Sequence, residues 1–297
     1  MKIGLVDVDS HNFPNLCLMK ISAWHKKQGD SVEWWNGFEE YDRVYISRVF
    51  DDMYSPAPLE PVNAKEIIRG GTGYDLKNTL PDEIEHMMPD SAIYHDLIPE
   101  TRYTAYGFLT RGCPRHCPFC IVGDKEGLVS RKVADLSEWW NGQKEIKLLD
   151  PNLLACKEHL DLINQLADSK ALIDFTQGLD ARLLTEENIE ALNRCKAKMI
   201  HFAWDMMAFS ESVERGLHLY AEQGTVRDER KRRVYCLTNF NTTMEENLYR
   251  VRRIHELGFD PFVMVYNRPT APDEVKRLQR WVNNKRIFRS CRWEEYR

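Results

Sequence analysis

Six short apolar runs between residues 103 and 267, each followed by a stretch of helical character, do most to limit what this chain can become. They are "YTAYGFLT" (103–110), "EIKLLD" (145–150), "LIDFTQ" (172–177), "MIHFAW" (199–204), "RVYCLTN" (233–239) and "FVMVYN" (262–267). Strands alternating with helices need crossover connections, which makes them parallel and covers the sheet with helices. The expected architecture is α/β, with six βα units curled into a partial barrel or left open. A smaller βα layer precedes it: strand 2–8, a helix over 15–29 closed by Gly29, then strands 31–35, 43–49 and 65–69. Between the last two strands, Pro56, Pro58 and Pro61 forbid a helix of ordinary length. Residues 71–102 are rich in Pro, Gly and acidic side chains, so a boundary is expected near residue 98, giving domains 1–98 and 99–297.

With 297 residues, 43% of them hydrophobic, the chain can fill a real core. No run reaches the roughly 18 apolar residues of a membrane span, and the opening "MKIGLVDVDS" turns acidic before a signal-peptide core develops, so a cytoplasmic protein is expected. There eight cysteines stay reduced, and clustered ones point to metal or redox chemistry. Cys17, Cys156, Cys195, Cys236 and Cys291 share no ligand spacing and read as structural. The net charge of -5 is uneven: residues 227–297 hold 17 Lys+Arg against 10 Asp+Glu. That basic end reads either as solvated helix faces or as a surface for phosphates or nucleic acid.

In parallel α/β folds, ligands bind at the carboxyl ends of the strands. Here those ends carry a cysteine loop, then Asp150-Pro151-Asn152, Gln177, Asp205, Asn239 and Asn267. The loop, "GCPRHCPFC", places Cys113, Cys117 and Cys120 within eight residues, which implies a soft metal centre. Zinc with His116 as a fourth ligand is one candidate, although adjacent residues seldom both ligate one ion. An iron–sulfur cubane held by three cysteines, with one iron left open, fits better.

The segment "CPRHCPFC" resembles the C-x3-C-x-aromatic-C signature of the radical S-adenosylmethionine (SAM) superfamily, Phe119 filling the aromatic slot and the loop following the first strand of a βα series. The resemblance covers about residues 103–285. It implies a partial (β/α)6 radical SAM barrel, a 4Fe-4S cluster on the three cysteines, SAM on the open iron and an electron donor such as flavodoxin or ferredoxin. It also implies cofactor contacts from Phe119, from Asp150 and Asn152 in place of the family's Gly-Gly-Glu stretch, and from Gln177, Asn239 and Asn267 at later strand ends. In "QGLDARLLTEE" (177–187), Arg182 would meet the SAM carboxylate or else pair with Asp180.

The first domain is similar to a reduced cobalamin-binding, Rossmann-like domain. "DSHNFP" (9–14), "SRV" (47–49) and "RGGTG" (69–73) stand where that family has its three corrinoid-contacting segments, with His11 as candidate lower ligand. Pro14 replaces a glycine, Val49 a leucine, and the proline-broken segment a helix, so corrinoid retention is not expected. The leading expectation is an enzyme that forms a 5'-deoxyadenosyl radical and abstracts hydrogen from an unidentified substrate. The alternatives are a cobalamin-dependent methyltransferase and a nucleic-acid-binding module with a structural metal, the last suggested by Trp281, Phe288 and Trp293 lying among C-terminal bases.

Overall fold

The computed structural model describes residues 1–55 and 57–296; Pro56, one of the three prolines noted above, and Arg297 lie outside the described residues. By packing, the chain divides into two compact units, residues 1–107 with 134–146, and residues 108–133 with 147–297.

In the first unit, β1 (Lys2–Asp7), α1 (Leu16–Lys27), β2 (Ser31–Trp34), β3 (Arg43–Ser47) and β4 (Ile67–Gly70) come in that order, followed by the single turn α2 (Asp82–Glu85) and by β5 (Thr104–Gly107). The strands β2-β1-β3-β4 form one sheet, parallel throughout, with Ile3 opposite Val32 and Arg43. α1 starts because the Asn15 side chain accepts a hydrogen bond from Leu18 N, and it stops one residue short of Gly29, whose φ of +83° a side chain would strain. Leu18 and Ile21 of this helix pack on Ile3, Leu5 and Tyr45 of the sheet. Each such buried aliphatic side chain contributes about 1.5–3 kcal/mol. Among the described residues, no helix interrupts the stretch between β3 and β4.

The second unit begins with β6 (Thr110–Arg111), α3 (Val122–Glu126) and β7 (Arg131–Lys132). β8 (Glu145–Leu148), α4 (His159–Ser169), β9 (Leu172–Leu179), α5 (Glu186–Arg194), β10 (Lys196–Ala203), α6 (Ser210–Gln223), β11 (Arg232–Thr238), α7 (Met244–Glu256), β12 (Asp260–Val265), α8 (Asp273–Asn283) and α9 (Lys285–Ser290) follow. The sheet of this unit runs in the order β12-β11-β10-β9-β8, an open run in which β9 to β12 pair in parallel. The α/β class and the parallel sheet expected from the sequence are therefore present. Ile173, Phe175, Ile200, Phe202, Val234, Cys236 and Val263 are almost fully buried. Their neighbours Asp174, Thr176, Tyr235 and Phe262, on the alternate face, are only partly covered.

Caps fix where the helices begin. Thr185 and Asn188 form a reciprocal capping box at α5, as do Thr243 and Glu246 at α7, while Asp273 and Glu274 occupy the first turn of α8 after Pro272. Fully buried Arg250 of α7 donates to the carbonyls of Trp204 and Leu237 at 2.7 and 2.8 Å, tying together the carboxyl ends of β10 and β11. No described helix is long and apolar enough to cross a membrane.

Candidate functional site

The cysteine loop is closed at its base by the chain's own hydrogen bonds. Glu126 accepts from Arg111 Nη1 at 2.7 Å and from Gly112 N at 3.0 Å, and Cys113 N donates to Gly127 O. Gly112 has a φ of +87°, and a Cβ there would stand 2.2 Å from the Val129 carbonyl oxygen, so only glycine admits this closure. Farther along, Cys120 N donates to Cys117 O, and the Phe119 ring meets Phe240 edge-on, 5.3 Å between centroids.

All three thiols open into a cavity of about 230 Å³ at the carboxyl ends of β9 and β10, shared with Asn152, Gln177, Asp180, Arg182 and Asp205. No group of three His, Cys, Asp or Glu side chains among the described residues is placed to hold a single metal ion. Three clustered thiols suit a cubane, in which each thiolate holds a different iron. His116, the fourth zinc ligand considered above, lies 3.8 Å from Asp124 with most of its side chain in solvent.

Asp180 is the electrostatic centre of the cavity. Its carboxylate accepts from Arg182 at 2.7 and 3.0 Å and from Arg115 at 2.8 Å, with Asn152 Nδ2 at 3.4 Å. Burial works to raise its pKa, but hydrogen bonds and charge from Arg182 and then Arg115 outweigh it, and the carboxyl is held below its usual value. Arg182 thus makes the pair with Asp180, its guanidinium 4.7 Å from the Phe209 ring, while Nη1 keeps no hydrogen bond among the described residues. Asp205 differs: burial pushes its pKa to about 6, against a hydrogen bond from Leu237 N and the charges of Arg250 and Arg182. Burial, first, also raises the thiols of Cys117 and Cys120, and the Arg182 charge opposes this at Cys117.

Asn152 is 3% exposed, yet its Oδ1 has no hydrogen-bond partner, while Nδ2 points to Cys113 Sγ at 3.5 Å. A buried acceptor without a donor costs about 1–3 kcal/mol, so a ligand N–H is the natural complement. Three thiols lining one cavity, an open acceptor, an arginine with a spare nitrogen, and the aromatic rings of Phe119 and Phe209 fit an iron–sulfur cluster carrying an amino-acid-like ligand.

Phe119, Asn152, Gln177 and Arg182 line the cavity together with the three cysteines. Asp150, Asn239 and Asn267 do not line it. Asp150 is 5% exposed and accepts from Leu109 N, Thr110 N and Thr110 Oγ1 at 2.8, 2.9 and 2.6 Å, so its oxygens clamp the entry to the cysteine loop. Asn239 and Asn267 both have positive φ, and Asn239 Nδ2 donates to Tyr266 O; they shape turns. Sequence reasoning passed over Arg115, Met206 and Phe209, which also line the cavity. Arg115 lay in plain view between the cysteines, but nothing local says that it reaches Asp180, 65 residues away.

Gly216 of α6 holds the Arg182 segment in place. A Cβ there would come 1.8 Å from the Ala181 carbonyl oxygen. Gly216→Ala is therefore expected to cost about 1–3 kcal/mol in thermal or urea unfolding by overpacking. An unchanged midpoint would show that helix and turn adjust freely.

The basic C-terminal region is tied up internally. Trp281 and Trp293 are 4% and 8% exposed, with Trp281 packed against both Phe288 and Trp293, while Lys285 pairs with Asp260, Arg289 with Glu229 and Arg252 with Glu294. Trp281 and Trp293 thus serve as core, while half-buried Phe288 borders an open pocket with Arg252, Arg289 and Arg292.

In the first unit, the topological switch point lies between β1 and β3. Asp9 bridges it, accepting from Val49 N and Phe50 N at 2.8 Å each, and the Ser47 hydroxyl accepts from Asn15. Cβ atoms at Gly71 and Gly73 would each stand 2.2 Å from a carbonyl oxygen, of Arg48 and Phe50 respectively, so these glycines receive the chain's own β3 loop. What remains open is exposed His11, at a φ of +47°, and a loop with Val49, Phe50, Met53 and Tyr54 all more than 40% exposed.

This parallel α/β fold is shared with solved structures of radical SAM enzymes. Among solved structures, the chain is similar to the radical S-adenosylmethionine methyltransferase TsrM from Kitasatospora setae with cobalamin and a [4Fe-4S] cluster bound, at a TM-score of 0.63 and 11% identity over 89% of this chain and 72% of that one. It is similar also to the same enzyme with tryptophan substrate and the SAM analog aza-SAM bound, at a TM-score of 0.60, 11% identity and the same coverage. No protein-family model matches the sequence, and no curated protein aligns with it significantly.

Proposed function

We propose that this chain is an iron–sulfur enzyme of the radical SAM type, and that methyl transfer is its reaction class. The observation that carries the first part is the cavity into which Cys113, Cys117 and Cys120 all open beside the unpaired Asn152 Oδ1. Support for methyl transfer over the hydrogen abstraction expected from sequence comes from the comparison, since the likeness to a methyltransferase extends over both units.

Cys113, Cys117 and Cys120 would hold a 4Fe-4S cluster, which when bound and reduced supplies an electron to the sulfonium of SAM. Asn152 Oδ1 accepts from the ligand's amino group, Arg182 Nη1 donates to its carboxylate, and Phe119 and Phe209 flank its base. Asp180 keeps both arginines oriented, and Asp205 supplies a carboxyl poised to gain or lose a proton near neutral pH. A flavodoxin- or ferredoxin-class protein would deliver the electron.

A corrinoid would be held by His11 and the apolar residues Val49, Phe50, Met53 and Tyr54, since the glycine cradle is already filled by Arg48 and Phe50. The deciding experiment is product analysis of anaerobically reconstituted protein given SAM, a reductant and hydroxocobalamin. Methyl transfer predicts about one corrinoid co-eluting per chain in gel filtration and S-adenosylhomocysteine as product, with Phe50→Asp releasing the corrinoid. Release of 5'-deoxyadenosine alone by protein that retains no corrinoid would return the reading to hydrogen abstraction.

A further inference from the structure

On the partly covered face of the sheet, one pleat below the cavity, lies a group of side chains that the cofactor chemistry leaves unused. Asp174 of β9 and His201 of β10 face each other with 3.4 Å between Oδ1 and Nδ1. Both of these atoms are buried, and neither makes a hydrogen bond. His201 is 4% exposed and stacks on Tyr235 of β11, with 5.0 Å between ring centroids and 8° between planes. Tyr235 is fixed in turn by its hydroxyl, which donates to Thr176 O at 2.9 Å. Neither ring nitrogen of His201 has a hydrogen-bond partner among the described residues, so Nε2 is an open end.

The link to the cavity is short. Ala203, two residues beyond His201 and on the same face, lines the cavity, and two residues of strand rise about 6.6 Å. Tyr235 sits opposite Ala203 in the sheet register, and its Cδ2 lies 3.5 Å from where a Cβ of the cavity-lining Gly178 would be. Gly178 has a φ of +94°, where a side chain would strain the backbone, and its Cβ would sit in ordinary contact with the tyrosine that carries the histidine. Around the dyad the surface is aromatic and partly open: Tyr235 meets Phe262 edge-on at 5.9 Å, and Met264 and Tyr266 of the same region are 36% and 41% exposed. Other charges on this face include Glu145 and Lys147 of β8, Arg233, paired opposite His201 in the register, and Asp260, which binds Arg233 at 3.2 Å and Lys285 at 2.8 Å.

A carboxylate aimed at one nitrogen of a buried imidazole whose other nitrogen is open is the arrangement of a proton acceptor. We propose that His201, oriented by Asp174 and Tyr235, receives the acceptor substrate of this site, a flat aromatic molecule whose N–H or O–H donates to Nε2. This rests on the cavity being the place of methyl transfer. When the methyl group arrives as a cation equivalent from a methylsulfonium donor, the acceptor's lone pair forms the new bond and the old bond's electrons stay on the donor. The displaced proton goes to Nε2. Movement of about half an ångström would then bring Nδ1–H into hydrogen-bond distance of Asp174, satisfying both orphaned atoms.

The test needs neither iron nor turnover. In full-length protein labelled with [15N]histidine, the His201 ring signals are assigned by their loss in His201→Gln, or by their shift in Asp174→Asn if the first variant does not fold. Two probe pairs are titrated: phenol against anisole, and indole against 1-methylindole. Expected are saturable shifts of the His201 nitrogens with phenol or indole, at least tenfold weaker binding of the methylated partner, and an altered His201 tautomer balance in Asp174→Asn. The pair that responds tells O–H from N–H acceptors. Unmoved His201 signals at probe saturation, or equal responses to capped and uncapped probes, would overturn the proposal. Iron uptake, measured separately, keeps the two readings apart: a His201 response without iron loading sinks the radical SAM reading, and iron loading without a His201 response sinks this one.

Discussion

Alanine at any one of Cys113, Cys117 or Cys120 should reduce the iron content of anaerobically reconstituted protein from about four per chain to less than about one. The reason is geometric. A cubane with one open iron has three protein bonds, each to a different metal, and His116, the imidazole within the loop, faces solvent beside Asp124, while the nearby carboxylates of Asp180 and Asp205 are hard ligands that replace a soft thiolate poorly. The loop itself should survive, because its closure relies on Glu126, Gly112 and the Cys113 N to Gly127 O bond, none of which uses a thiol. Circular dichroism should therefore show folded, colourless variants. Cys156, Cys195 and Cys236 are buried, and burial raises the pKa of each thiol, so alanine at those positions should leave the brown absorption in place. Stoichiometric zinc without colour in strictly anaerobic wild-type protein, or full iron in Cys117→Ala, would end the cluster assignment.

The parallel sheet was legible because each central strand is a run of residues buried on at least one face, and Thr185 was legible as a cap because its hydroxyl acts within its own turn. Partners distant in sequence were not. Arg182 carries the same letters whether it meets a ligand or Asp180, and only the fold shows Arg115 arriving on the other side of that carboxylate. "RGGTG" shows the same limit. Glycine permits close approach, but the sequence does not say what approaches, and here it is the Arg48 and Phe50 carbonyls. The His201–Asp174 pair was invisible because its members come from separate strands, each within an ordinary apolar run. Its signature is an unsatisfied burial, which exists only in three dimensions.

Asp150, at the end of its strand, clamps the entry to the cysteine loop. Asp150→Ala should leave the donors Leu109 N, Thr110 N and Thr110 Oγ1 without their acceptor in a buried site, at about 1–3 kcal/mol each for those that water cannot reach. A total loss of about 3 kcal/mol corresponds to a fall in melting temperature of roughly 6–12 °C for a unit of this size. Asp150→Asn keeps one acceptor oxygen but turns an NH2 toward a donor, so it should fall between. The pH dependence has a definite sign. Burial, opposed by the three donors, raises the carboxyl to about 7, so the folded state binds a proton that the unfolded chain releases above its ordinary value of 3.8. Stability from this group is greatest below the ordinary value and declines as pH rises toward 7, so the gap between wild type and Asp150→Ala should be wider at about pH 5 than at about pH 8. SAM binding by whatever fraction remains folded should be close to normal, because Asn152 and Arg182 are untouched. An Asp150→Ala protein that melts with wild type yet binds SAM tenfold more weakly would show that the carboxylate reaches the ligand after all.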